Sequence, residues 1–194
     1  MPNKWNLSKG FILASCSPQR QRLLRDAGFE PDLCTGADID ESILPNEKPK
    51  DYVKRVAIEK ALFVAKQHPN CCVVSADTVI VAKGKIIRKA PNETVARENL
   101  DLLSGTKHYV LTGYSVIDFE GRQKSGVAKT VVYMKKITNS EKYALINSKE
   151  WENVAAYRIE GMLSTFVKGI KGSYPNIVGL PVYEIGEILK EVLK

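Results

Sequence analysis

The chain has 194 residues, of which 44% are hydrophobic and 26% charged, so it is long enough to bury a full core and is not intrinsically disordered. Its net charge of +7 indicates a polyanionic partner, either a nucleic acid or a small phosphorylated ligand. No apolar run approaches the roughly 20 residues that span a bilayer, and the first residues lack the pattern of a secretory signal. We therefore expect a cytoplasmic protein without a membrane partner.

Cysteine and histidine patterns exclude further kinds of site. The four cysteines include no C-x-x-C spacing, so the sequence predicts neither a zinc site nor a disulfide framework. The two histidines, His68 and His108, are too few for a His-rich metal site, and no G-x-S-x-G elbow supports a Ser-His-Asp triad. No linker, low-complexity tract or repeat divides the chain, so residues 1–194 are predicted to form a single domain.

The first predicted elements are a buried strand, a short turn and a capped helix. Phe11–Ala14 is an apolar run of strand length, and Ser17 followed by a proline is typical of a helix start, with Gly28 at the helix end. Arg20 and Arg22 lie in the first turns, near unpaired N–H groups and the positive end of the helix dipole. The pattern indicates an anion site, although a capped strand-turn-helix is also an ordinary feature of α/β proteins.

A second helix, predicted at about Lys50–Lys66, carries a charge on its apolar stripe. Lys60 falls near the centre of the stripe that contains Val53, Val56 and Val64. An ammonium group at that position requires an anion, unless the lysine stem lies along the core and carries the charge to water.

A long apolar strand, Cys71–Ala82, contains the second polar residue where the pattern predicts core. Burying an unpaired carboxylate at Asp77 demands a cation or hydrogen-bond donors, whereas an aspartate at a strand edge faces water. A metal-bound polyphosphate would satisfy Asp77 and Lys60 together. The acidic turn that contains Glu41 would then supply a second oxygen ligand for Mg²⁺ or Mn²⁺, although an acidic loop alone is usually solvated.

The remaining helices and strands are interspersed, which predicts one α/β unit with a mixed sheet. Thr138–Glu141 is typical of a capping box, and the strands on either side of Asp118–Gly121 indicate antiparallel pairing. The other predicted elements are strands at Lys85–Ile87, Tyr109–Ile117, Gly126–Met134 and Ser164–Ile170, a helix at Asn92–Leu103, and a last helix that begins at Pro181.

Several of these segments together resemble the Maf family, in order and spacing, over nearly the whole chain. Maf-like proteins are nucleoside triphosphate pyrophosphatases, so the resemblance implies metal-dependent hydrolysis of nucleoside triphosphates to a monophosphate and diphosphate. It also implies a role in clearing non-canonical or surplus nucleotides. The segments that carry the resemblance are Leu13–Arg20, Glu41, Glu59–Ala61, Ser75–Thr78, Lys89, Leu103–Gly105, Gly172–Tyr174 and Val178–Pro181.

The resemblance further implies a fold and an assembly. It predicts an α/β protein with a mixed, elongated and twisted sheet flanked by helices, in which two lobes surround a cleft, as in inosine triphosphate pyrophosphatases. A divalent cation, Mg²⁺ or Mn²⁺, and a homodimer are expected, and a stable nucleic-acid complex is not.

Residue roles also follow from the resemblance. Asp77 is expected to be the catalytic acceptor of the proton of the attacking water and a metal ligand, with Glu41 as the second metal ligand. The expected phosphate-binding residues are Ser15, Arg20, Lys60 and Lys89. The expected specificity residues are Gln19, Thr78 and Glu160.

The sequence does not determine which base the substrate carries. The branch that resembles dTTP/UTP hydrolases has Arg at the position of Gln19, Thr at that of Thr78 and Gln at that of Glu160. The branch that resembles 7-methyl-GTP hydrolases lacks the arginine, has Gln at the position of Thr78 and has an acidic residue at that of Glu160. This chain is mixed, because Gln19 and Glu160 depart from the first pattern and Thr78 departs from the second. Two alternatives are a non-enzymatic regulator of cell division, which binds a protein or nucleic acid, and a phosphatase that removes the terminal phosphate.

Overall fold

The computed structural model describes residues 5, 8–87, 89–152 and 157–194. The chain divides into two compact units. Unit 1 comprises Met1–Thr78, Thr112–Ala128 and Gly179–Lys194, and unit 2 comprises Val79–Leu111 and Lys129–Val178. The single domain expected over residues 1–194 stays a prediction.

Helices occur along the whole described chain. They are α1 (Pro18–Asp26), α2 (Pro49–Gln67), α3 (Glu93–Leu103), α4 (Asn139–Asn147), a 3-10 helix (Met162–Phe166), α5 (Tyr174–Val178) and α6 (Val182–Val192). Within the described ranges, no helix combines the length and the apolar character needed to cross a membrane.

The strands of the described residues form one seven-stranded sheet. They are β1 (Phe11–Leu13), β2 (Leu33–Cys34), β3 (Cys72–Ala82), β4 (Lys85–Ile87), β5 (Lys107–Ile117), β6 (Gln123–Met134) and β7 (Val167–Lys171). The order is β2-β1-β3-β5-β6-β7, and β4 pairs with β3. Because β1 pairs in parallel with β2 and β3 whereas β4 and β7 pair antiparallel with their neighbours, the sheet is mixed, and the predicted α/β class is confirmed.

The core of unit 1 forms on both faces of β1, since alternate strand residues point to opposite sides of a sheet. Leu13 packs with Leu24 of α1 and Ile185 of α6 on one face. Ile12 packs with Ala61 of α2 on the other. Every residue of β1 is buried, as expected for a strand between two parallel neighbours.

The core of unit 2 forms where α3 and α4 pack on its strands. Leu100 and Leu103 of α3 join Leu145 and Ile146 of α4 and Val132 of β6 in one apolar cluster. The two helices thus cover one face of the strands in this unit, which is the packing expected of an α/β layer.

Local sequence signals identify several element boundaries correctly. Ser17 caps α1 and a proline opens the helix, as predicted. Thr138 and Glu141 form both hydrogen bonds of the predicted capping box at the start of α4. The predicted turn between β5 and β6 is present, with the Gly121 N–H donating to the Asp118 carbonyl at 3.0 Å.

The strand predicted at Ser164–Ile170 is wrong over its first part. Met162–Phe166 is a 3-10 helix, and β7 begins only at Val167. The Thr165 hydroxyl donates to the Met162 carbonyl at 2.9 Å. This local side-chain hydrogen bond favours the 3-10 helix over an extended strand.

Candidate functional site

In unit 1, the carboxylates of Asp77 and Glu41 both contact the ammonium group of Lys60. Lys60 Nζ lies 2.9 Å from Asp77 Oδ1 and 2.9 Å from Glu41 Oε1. Asp77 is 7% exposed and Lys60 is 9% exposed, so each buried charge has the opposite charge that burial requires. The two alternatives, a water-facing aspartate and a lysine that carries its charge to water, therefore do not apply.

The packing of α2 on the sheet brings Lys60 to this position. The Ser75 hydroxyl on β3 donates to the Ala57 carbonyl of α2 at 2.5 Å, which joins the helix backbone to the strand. A β-carbon at Gly113 of β5 would overlap the carbonyl oxygen of Val53 on the same helix. Because glycine has no β-carbon, α2 approaches β5 closely, and Lys60 reaches β3 beside Asp77.

The segment that carries Glu41 is also held by α2. Tyr52 donates its hydroxyl proton to the Glu41 carbonyl at 2.9 Å. Arg55 donates to the Ser42 carbonyl at 2.8 Å and to both carboxylate oxygens of Glu47. The hydrogen bond to Glu47 holds the pKa of Arg55 above its usual value, and the same bond lowers the pKa of Glu47. These contacts place the acidic segment next to Lys60.

The guanidinium of Arg20, in α1, donates hydrogen bonds to three acceptors. Its Nε donates to the Gly179 carbonyl at 2.9 Å, Nη1 to Ser15 Oγ at 3.1 Å and Nη2 to Thr78 Oγ1 at 3.3 Å. All three acceptors are uncharged, and Arg20 forms no salt bridge with any carboxylate of the described chain. The guanidinium is fixed in position while its charge remains available to an anion.

Electrostatics link Arg20 to the acidic side chains. Burial lowers the pKa of Arg20 from its usual value, and the charges of Asp77 and Glu41 oppose this shift. Two cations and two carboxylates therefore share one neighbourhood within unit 1. An entering polyanion would meet fixed positive charge at Arg20 and Lys60.

The turn before α1 supplies hydroxyl and amide groups close to Arg20. The Ser17 N–H donates to Ser15 Oγ at 3.2 Å. Ser17 Oγ accepts the Arg20 N–H as the helix cap and donates to Gln19 Oε1 at 3.1 Å. The side chain of Gln19, an expected specificity residue, is therefore folded back onto the cap.

Sequence reasoning missed two contributors to this site. The Thr112 hydroxyl lies 3.0 Å from the Thr78 hydroxyl, and Thr112 is fully buried. The Gly179 carbonyl accepts hydrogen bonds from both Arg20 and Thr78. Thr112 carries the signal that identified Asp77, a polar residue inside an apolar strand, whereas a backbone carbonyl leaves no mark in a sequence.

Two of the expected site residues belong to unit 2. Lys89 and Glu160 are both exposed there. The expected site residues that unit 1 brings together are Ser15, Gln19, Arg20, Glu41, Lys60, Asp77 and Thr78.

The carboxylates of the cluster fit a divalent cation. Among the described residues, no group of three or more histidine, cysteine, aspartate or glutamate side chains is arranged to hold a metal. Glu41 and Asp77 nevertheless converge on a single cationic group, the Lys60 ammonium. Carboxylate oxygens are the ligands that Mg²⁺ prefers, and one or two of them suffice when water and phosphate oxygens complete the coordination.

The chain is similar to several known proteins. The family model described as Maf-like protein matches residues 10–192. A dTTP/UTP pyrophosphatase of Paramagnetospirillum magneticum is 40% identical over 179 residues, which cover 92% of this chain and 94% of the relative. A dTTP/UTP pyrophosphatase of Clostridioides difficile is 37% identical over 93% of each chain. A solved nucleoside-triphosphatase / dITP/XTP pyrophosphatase of Mycobacterium abscessus is 14% identical, with a TM-score of 0.42 over 72% of this chain and 94% of that chain.

Proposed function

The chain belongs to the Maf family, and we propose that it hydrolyses nucleoside triphosphates to a nucleoside monophosphate and diphosphate. The observation that carries the proposal is the buried contact between Asp77 and Lys60, with Glu41 on the same ammonium. A buried carboxylate beside fixed cations is suited to accept a proton from water while the cations bind a phosphate chain.

The substrate base is proposed from the names of the relatives. Those relatives are called dTTP/UTP pyrophosphatases, so dTTP and UTP are the first candidates for this chain. Gln19 and Glu160 depart from the pattern of that branch, which makes 7-methyl-GTP and other modified nucleotides necessary members of any substrate panel. Clearing of surplus or non-canonical nucleotides would follow from such a preference.

The mechanism we propose assigns one task to each group of unit 1. Asp77 accepts a proton from the attacking water, whose oxygen forms a bond to the α-phosphorus. The bond between that phosphorus and the bridging oxygen breaks, and diphosphate leaves. Arg20, Lys60 and the Ser15 hydroxyl bind the phosphate oxygens and stabilise the charge that develops on them.

Glu41 and Asp77 are the residues that would hold a divalent cation. When bound, such a cation supplies Lewis-acid polarisation of the phosphate oxygens. Lys60 would then exchange contact with the carboxylates for contact with the phosphates. Chelation of divalent cations should abolish hydrolysis, and added Mg²⁺ or Mn²⁺ should restore it.

The test is product analysis with a panel of common and modified nucleoside triphosphates in the presence of Mg²⁺ or Mn²⁺. We expect monophosphate and diphosphate in equal amounts. Orthophosphate as the first product would instead identify a phosphatase that removes the terminal group.

Asp77→Asn is the matched variant for this test, because it retains the shape of the side chain and removes its charge. We expect a folded protein without hydrolysis, since Lys60 keeps its contact with Glu41. Full activity in the variant would remove Asp77 from the chemistry. If the wild-type protein turns over none of the nucleotides, the proposal fails and a regulator of cell division becomes the better explanation.

A further inference from the structure

The Thr78 hydroxyl has a hydrogen-bonding contact with three protein groups. Thr78 Oγ1 accepts from Arg20 Nη2 at 3.3 Å, lies 3.0 Å from Thr112 Oγ1, and lies 3.3 Å from the Gly179 carbonyl. A threonine hydroxyl has one proton and two acceptor lone pairs. The three contacts therefore use its full capacity.

The three contacts are compatible with only one arrangement of protons. Arg20 is always a donor and the Gly179 carbonyl is always an acceptor. Thr78 must therefore give its single proton to Gly179, and Thr112 must donate to the remaining lone pair of Thr78. Under this arrangement the Thr112 proton occupies one lone pair of Thr78, the Thr78 proton is directed at Gly179, and the other lone pair is directed at Arg20.

We propose that Thr112 is a positioning residue that acts through Thr78 to hold Arg20 for phosphate binding. The inference rests on the proposed function, because it takes Arg20 as a ligand of a phosphate chain. It also changes the role expected for Thr78, whose hydroxyl has no capacity left for a nucleobase. Thr78 and Thr112 support the guanidinium, and the Gly179 carbonyl completes the support from the segment before α6.

Burial explains why the contact between Thr112 and Thr78 affects the position of Arg20. Thr112 is fully buried and Thr78 is half-buried, so water does not replace a lost hydroxyl contact easily. Without the Thr112 proton, the Thr78 hydroxyl still donates to the Gly179 carbonyl but loses one of the three contacts that fix its direction, so its lone pair is directed at Arg20 less strictly. The guanidinium would then keep its contacts with Ser15 and Gly179, and its third hydrogen bond, to Thr78, would weaken.

The experiment measures the affinity for inorganic tripolyphosphate by calorimetry, so it does not depend on hydrolysis. Thr112→Val removes the hydroxyl and keeps the branched shape, and we expect roughly three- to tenfold weaker binding. Thr112→Ser retains the hydroxyl and should bind within about twofold of the wild-type protein. Thr94→Val, on the exposed surface of α3, is the matched control and should leave the affinity unchanged.

A double-mutant cycle separates positioning from general damage to the fold. In an Arg20→Ala background, Thr112→Val should cause no further loss of tripolyphosphate affinity, because the group that it positions is absent. A loss of equal size in both backgrounds, or unchanged affinity in the single variant, would overturn the proposal. So would a wild-type protein that does not bind tripolyphosphate.

The outcomes also separate this inference from the proposed function. Suppose that the wild-type protein binds tripolyphosphate but hydrolyses no nucleotide, and that Thr112→Val binds tripolyphosphate more weakly. This result would support the role of Thr112 and refute the proposed pyrophosphatase activity. For an active enzyme, Thr112→Val should raise KM for the triphosphate more than it lowers kcat.

Discussion

Lys60 and Asp77 are charged residues at core positions of a helix and a strand, and each explains the other. Their side chains meet at 2.9 Å inside unit 1. Removing one member of a buried pair leaves the other charge without compensation, which is why such pairs respond strongly to single substitutions. The two residues differ in this respect, because Lys60 has a second carboxylate partner and Asp77 has no second salt bridge among the described residues.

Lys60→Met is expected to weaken binding of a nucleoside triphosphate and to destabilise the protein. Two carboxylates would lose their shared cation, so the free energy of unfolding should fall by about 2 kcal/mol or more. Steady-state kinetics should show a raised KM, and urea unfolding should show the lower stability. Lys66→Met, at the exposed end of α2, is the matched control. Unchanged values of KM, kcat and stability would place Lys60 outside the site.

The close approach of α2 to β5 is an element-scale feature that depends on one glycine. Gly113 lies directly under the Val53 carbonyl, with no room for a β-carbon. The helix is joined to β3 by the Ser75 hydroxyl and carries the contacts that hold the Glu41 segment. A shift of α2 would therefore move both Lys60 and Glu41.

Gly113→Ala is expected to destabilise unit 1 and to separate Lys60 from Asp77. Overpacking of a core typically costs about 1–3 kcal/mol, and an overlap with backbone belongs at the upper end. Thermal unfolding should show a lowered Tm, and triphosphate hydrolysis should fall in the folded fraction. Gly169→Ala in β7, where a β-carbon meets no other atom, controls for the general effect of replacing a strand glycine. Equal stability of Gly113→Ala and the wild-type protein would contradict the packing described for α2.

At the scale of the whole molecule, charge is distributed unevenly between the two units. Lysines and arginines outnumber aspartates and glutamates by seven in unit 2, whereas unit 1 is balanced, so the entire net charge of +7 lies in unit 2. Such a concentration of one sign produces a field that attracts anions over several ångströms in dilute salt.

This charge distribution predicts that association with an anionic nucleotide is sensitive to salt. Raising the ionic strength shortens the screening length from about 10 Å at 0.1 M to about 3 Å at 1 M. We expect kcat/KM for a nucleoside triphosphate to fall over this range while kcat changes little. Measurements in a salt series test this expectation. A kcat/KM that is independent of salt would show that the charge of unit 2 does not act on the substrate.

The buried pair of His108 and Tyr157 in unit 2 predicts a pH dependence of stability. His108 Nε2 lies 2.6 Å from the Tyr157 hydroxyl, and burial lowers the pKa of His108 to about 4 from 6.5. The unfolded chain therefore binds more protons between these values, and stability should fall as the pH decreases from 6.5 towards 4. The full effect amounts to about 3 kcal/mol.

His108→Gln should remove this part of the pH dependence. We expect urea unfolding at pH values on both sides of the titration to show a smaller change in stability for the variant than for the wild-type protein. His68→Gln, at the end of α2, supplies the comparison because it removes the other histidine of the chain. If His108→Gln and the wild-type protein lose the same stability in acid, the buried histidine is not responsible.

Local signals in the sequence were sufficient for most of the elements. The cap at Ser17, the capping box at Thr138 and the apolar run of β3 each depend on neighbours within a few residues, so their patterns predict structure directly. The 3-10 helix before β7 was mispredicted as strand because its apolar residues are compatible with either conformation.

Local patterns of the chain predict the α/β class, the mixed sheet and the two charged residues at core positions. Because burying an unpaired charge is costly, the core positions of Lys60 and Asp77 each predict a partner group. The fold is needed to identify those partners and to show that Arg20 is held by Gly179 and Thr78. These contacts join residues far apart in the chain, and a backbone carbonyl or a buried hydroxyl acquires its role only from the groups that the fold places beside it.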